Sequence, residues 1–210
     1  MEVSDTITAG LATTCVDERG NLIEHPLLDC GIRAALAADL VRSSRLQNSP
    51  DAIHVEQEPT GWALLDQTVE QLTTGRTTLD AWIVAGSVGL VDVVDDLVST
   101  GLWTRRRRRL HRRYRYDTGR PRDPWGRTPE RRLVQPPGAA PASARDAAVL
   151  VLARCAGLGD RAKPVDAALE RTGDLRWFCE LAGQVIGRER ARNLHAHTAM
   201  RASRVIGAPG

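Results

Sequence analysis

Residues 87–116 read SVGLVDVVDDLVSTGLWTRRRRRLHRRYRY. The first half sets Leu90, Val94, Leu97 and Val98 at steps of three and four, the spacing of one apolar helix face. Gly101 follows, a residue suited to the left-handed position just past a helix end. The second half gathers Arg105, Arg106, Arg107, Arg108, Arg109, Arg112, Arg113 and Arg115 around Leu110, Tyr114 and Tyr116. It lies between that helix end and the turn DTGRP, so it is strand-like in position. A helix that hands over to a basic strand pair decides the fold: a helical body with one cationic arm.

Working outward, residues 27–42 place Leu28, Ile32, Ala35, Leu36 and Leu40 on one helical face. Residues 45–57 read as a short β-hairpin: Asn48-Ser49-Pro50-Asp51 supplies the turn, and Ile53 and Val55 alternate with His54 and Glu56. Pro59-Thr60-Gly61 opens a helix whose stripe is Trp62, Leu65, Val69 and Leu72, stopped by Gly75. A shorter helical piece surrounds Leu79, Trp82 and Ile83, while residues 15–23 read as a turn. Downstream, 117–142 is a Pro/Gly/Arg-rich excursion. Ser143 then N-caps an apolar helix ended by Gly157, Pro164 starts another, and Asp174 caps a long last one. The predicted class is mainly α, with a single domain over 1–210. Trp62, Trp82, Trp103 and Trp177 fall at core positions. Trp125, inside the excursion, suits either a membrane interface or packing back on the body.

Net charge is +3, but its distribution is lopsided: residues 104–122 hold ten arginines and one aspartate, a local +9 that leaves −6 on the rest. Such asymmetry bears on partner choice rather than on fold. Cys15, Cys30, Cys155 and Cys179 are widely spaced and read as buried thiols. No run approaches the length of a transmembrane helix, and the first residues lack the basic and apolar regions of a signal peptide, which predicts a cytosolic protein. GxGxxG, Walker A and GxSxG patterns are absent, and the acidic groups Glu24-His25 and Asp92/Asp95/Asp96 have no positioned nucleophile beside them, so no enzyme and no cofactor are expected. His195 and His197 stand two apart and cannot share a helix face for one metal ion.

The order of several short motifs resembles the Golgi phosphoprotein 3 family: DERGNL at 17–22, GIRAALAADL at 31–40, EPTGWALLD at 58–66, Trp82-Ile83, DDLVSTGLW at 95–103 and RDAAVLVLARCAGL at 145–158. The resemblance covers roughly residues 15–160. It implies a compact helical domain with a central four-helix-bundle core and a protruding β-hairpin, here the arginine-rich stretch near 103–116. It also implies peripheral binding to phosphatidylinositol 4-phosphate and adaptor work on membrane proteins. Of the family's headgroup ligands it carries over Arg33, in Gly31-Ile32-Arg33. The family's tryptophan falls near Glu24, and its two basic positions fall near Ser87 and Leu90. Leu110 stands where the family presents apolar residues to the membrane.

These features converge on a polyanion partner. An anionic leaflet attracts each nearby basic residue by about 1 kcal/mol, with Leu110 and Trp125 as membrane contacts and membrane-protein tails as possible further partners. Arg33 reads as a phosphate ligand or as an arginine paired with Asp29 or Glu24. The alternative partner is nucleic acid, because a helix followed by a basic strand pair also matches a winged helix. Asp92, Asp95 and Asp96 weigh against that alternative, since a recognition helix facing phosphates would be repelled by them.

Overall fold

Residues 28–42 place alanine at 34, 35, 37 and 38, so neighbours can approach this helix from every side. The computed structural model describes residues 2–48, 53–74, 78–107, 114–119, 143–158 and 165–206, with the side chains of 48, 53 and 196–206 excepted. In it α1 (Ile7–Thr14) follows a 3-10 turn, Val3–Asp5. Helix α2 (Leu28–Arg42), the hairpin β1 (Leu46–Asn48) and β2 (Ile53–Val55), α3 (Ala63–Thr74), α4 (Leu79–Ala85) and α5 (Leu90–Ser99) come next. The second hairpin is β3 (Thr104–Arg107) and β4 (Tyr114–Asp117). Helices α6 (Ala144–Cys155) and α7 (Asp166–Leu169), a 3-10 segment (Glu170–Leu175) and α8 (Arg176–Ile206) complete the chain.

The mainly helical class with two small antiparallel hairpins is as the sequence predicts. Helix α2 departs from its reading as a one-faced helix. Twelve of its fifteen residues are buried, and it touches α1, α3, α4, α5, α6 and α8. A helix buried on every side belongs in the centre of a bundle, and the charges it carries there must be paired. Close approach is strictest at Gly31, where a Cβ would stand 2.8 Å from the Ala156 Cβ.

Helix α1 is the element the sequence hid. Its residues, ITAGLATT, have little hydrophobic contrast, yet Ile7, Leu11 and Ala12 are fully buried against α2 and α6. Thr6 caps it by accepting from the Ala9 amide at 3.0 Å. At the other end, Ser143 caps α6 through the Asp146 amide at 3.1 Å, and Gly157 takes φ +94° just beyond that helix, as read from the sequence. Asp174 instead lies within the 3-10 segment that runs into α8, beside Gly173 at φ +57°. Trp62, Trp82 and Trp103 are core residues; Trp177 is only half-buried, edge-on to Phe178 at 5.6 Å. Of the excursion at 117–142, residues 120–142, with Trp125, lie outside the described residues, as do Gly75 and Pro164.

The motif EPTGWALLD is a helix-start device. Asp66 Oδ1 accepts from the Thr60 amide at 2.6 Å and from its hydroxyl at 2.7 Å, while Gly61 turns the chain at φ +81°. This sets Trp62 so that its indole N–H donates to Asp96 at 2.7 Å, tying α3 to α5.

Candidate functional site

The arginine hairpin grows directly from the end of α5. Gly101 adopts φ +76°, the Trp103 amide donates to the Leu97 carbonyl at 2.9 Å, and the buried Trp103 ring lies 6.4 Å from the ring of Tyr116. On the far strand the Tyr116 amide donates to the Gly20 carbonyl at 2.8 Å. Gly20 belongs to the DERGNL turn, where Asp17 Oδ1 accepts from the amides of Arg19 and Asn21 at 2.8 Å each. The turn motif therefore serves as a shelf for the hairpin. Gly20 has φ +78°, and a Cβ there would meet the Tyr116 carbonyl oxygen at 2.8 Å. Gly20→Ala is expected to cost about 2 kcal/mol, from the left-handed backbone and the displaced strand. Thermal unfolding, together with faster hydrogen exchange at the Tyr116 amide, would record it.

Arg105 is fixed to the body. Its Nη1 lies 2.7 Å from Asp95 Oδ1, and its guanidinium stacks over the Tyr114 ring at 4.7 Å from the centroid. Burial raises the Tyr116 hydroxyl above the usual tyrosine range, partly opposed by the Arg105 charge. Arg106, Arg107 and Arg115 are exposed, and no ion pair joins them to a carboxylate among the described residues. Arg108, Arg109, Leu110, Arg112 and Arg113 lie outside the described residues. The structure thus gathers Arg105, Arg106, Arg107 and Arg115 into one element.

Arg33 is elsewhere and otherwise engaged. It is 5 % exposed. Nε donates to Ile83 O at 2.7 Å, Nη1 to Gly86 O and Val88 O at 3.0 Å each, and Nη2 to Val84 O at 2.7 Å and Cys30 Sγ at 3.6 Å. All five N–H groups of the guanidinium are directed inward. The role the structure gives Arg33 is to close the C-terminal end of α4, whose carbonyls carry partial negative charge; this is neither the phosphate contact nor the pairing with Asp29 or Glu24 read from the sequence. Gly86 makes room for it, since a Cβ there would stand 2.8 Å from Arg33 Cδ.

Asp29 is engaged at another helix end: its Oδ1 accepts from the Leu90 amide at 2.8 Å, at the start of α5. Leu90 is buried, and the Ser87 hydroxyl accepts from Gln71 Nε2 at 2.8 Å, while Gln71 Oε1 accepts from the Trp82 indole at 2.8 Å. The third charge on α2, Asp39, is wholly buried. It accepts from the Ile7 amide at 2.8 Å, the Thr8 amide at 3.0 Å and the Thr8 hydroxyl at 2.7 Å, at the start of α1. Burial raises its pKa to about 6, opposed by those hydrogen bonds. Sequence reading missed Asp39 because its partners lie more than thirty residues upstream. Its presence as the lone acid in an apolar helix interior is the signal that could have found it.

Fold and site define a helix-bundle domain with a firmly rooted basic hairpin. The chain belongs to the Golgi phosphoprotein 3 (GPP34) family, whose model matches residues 13–194. Membership suggests a membrane-associated, adaptor-type role. No curated protein and no solved structure matches the chain. Among the described residues no helix is long and apolar enough to cross a membrane.

Proposed function

We propose that the protein docks peripherally on anionic lipid at the cytoplasmic face of a membrane, with phosphoinositides such as phosphatidylinositol 4-phosphate as preferred headgroups, and there serves as an adaptor for membrane-protein tails. The observation that carries this reading is the hairpin. It holds exposed arginines on a two-stranded ladder that is pinned to the body by Gly20, Trp103 and Asp95. A pinned ladder presents its charges together, so several can face one surface at once. The remainder of the chain carries −6, which turns the molecule arm-first toward a negative leaflet. Helix α5 presents exposed Asp92 and Asp95 beside the hairpin, which disfavours a winged-helix approach to duplex DNA.

The test is co-sedimentation with phosphatidylcholine vesicles, alone or containing phosphatidylserine or phosphatidylinositol 4-phosphate. Binding should require the anionic lipid and weaken as salt rises, because screening acts beyond about 10 Å at 0.1 M. Serine at Arg105 through Arg109 should weaken it on the order of a hundredfold. Sedimentation of that variant equal to the parent's would overturn the reading.

A further inference from the structure

We propose that only one face of the hairpin grips the lipid phosphate, the face carrying Arg106 and Arg115; this rests on the lipid-docking reading above. The register pairs Thr104 with Asp117, Arg105 with Tyr116, Arg106 with Arg115 and Arg107 with Tyr114. Alternation along a strand then sorts the side chains. Arg106, Arg115, Thr104 and Asp117 share one face; Arg105, Arg107, Tyr114 and Tyr116 share the other.

The two faces differ in what already occupies them. On the second face, Arg105 is committed to Asp95 and Tyr114, and Tyr116 packs on Trp103. On the first face Arg106 and Arg115 are cross-strand partners, with Cβ atoms about 5 Å apart by strand geometry. Like charges so placed oppose strand pairing. The acid on that face, Asp117, lies two residues nearer the root and accepts from the Gly119 amide at 3.2 Å. Among the described residues neither arginine has a carboxylate partner. Two forked cations side by side match a headgroup phosphate, which each can hold through paired N–H groups. The bound phosphate would also relieve the repulsion that the empty hairpin retains.

This gives opposite effects for one substitution. Arg106→Gln and Arg107→Gln remove the same charge from adjacent residues on opposite faces. Arg106→Gln should reduce partition onto phosphatidylserine-containing vesicles about tenfold, the loss of a charge-assisted phosphate contact. In the lipid-free protein it should slow hydrogen exchange of the β3–β4 amides, because the opposed charges are gone. Arg107→Gln should reduce partition only two- to threefold and leave exchange unslowed. Equal losses for the two variants, or no slowing in Arg106→Gln, would overturn the one-face assignment while leaving lipid docking intact. A parent protein that ignores anionic vesicles overturns both. Loss of duplex DNA binding in Arg106→Gln with vesicle partition unchanged would assign the pair to nucleic acid and overturn the proposal.

Discussion

Arg33→Ala is expected to lower the unfolding free energy by about 4 kcal/mol, the range found when a buried charged group is removed from its partners. The substitution strands the carbonyls of Ile83, Val84, Gly86 and Val88, which now share one guanidinium. It also removes the side chain that lies against Gly86. In a chain of this length the melting temperature should fall by roughly 10 °C. Arg33→Lys should recover only part of the loss, since an ammonium has three donors on a flexible stem and cannot span four carbonyls. Vesicle partition of the folded Arg33→Lys protein, measured well below its transition, should stay within about twofold of the parent's by affinity arithmetic. A large drop in partition without a drop in melting temperature would make Arg33 a headgroup ligand after all.

Asp39 should have a comparable effect with an unusual pH dependence. Asp39→Ala leaves the Ile7 and Thr8 amides and the Thr8 hydroxyl buried without an acceptor, a cost on the order of 4 kcal/mol. Because the folded-state pKa of Asp39 is raised to about 6 from 3.8, the folded protein binds a proton more tightly than the unfolded chain does. Stability from this group therefore rises as pH falls from about 6 toward 3.8 and is flat above that window. Relative to Asp39→Asn, which cannot titrate, the parent should gain about 2 kcal/mol between pH 7 and pH 4.5. Urea midpoints of the two proteins at those pH values measure the gain. A difference that does not change with pH, or one that shrinks at pH 4.5, would refute the assignment.

These two residues also mark where sequence reading reached its limit. Elements with strong periodicity were legible: the α5 stripe up to Gly101, the Leu65, Val69 and Leu72 stripe of α3, and Ser143 to Gly157 around α6. The arginine stretch was legible as strand-like from its place between the Gly101 helix end and the DTGRP turn, and the family resemblance supplied the hairpin; β3 is exposed along its length. Helix α1 was not, since threonine, alanine and glycine give no amphipathic contrast and its burial comes from tertiary neighbours. The tasks of Arg33 and Asp39 were hidden for a related reason. Each engages main chain, fifty residues downstream for Arg33 Nε and thirty-two upstream for Asp39 Oδ1, and backbone partners leave no mark on side-chain spacing. The Arg105–Asp95 pair was closer to hand, ten residues apart across a helix end that the glycine had already located.

Asp29, Arg33 and Asp39 make α2 a common fastening for the start of α5, the end of α4 and the start of α1. A helix fastened to three others at their tips cannot slide by one turn, or loosen at one tip, without misaligning its remaining attachments. The bundle is therefore expected to unfold as a single cooperative unit rather than in separable layers, carrying with it the arm at the end of α5.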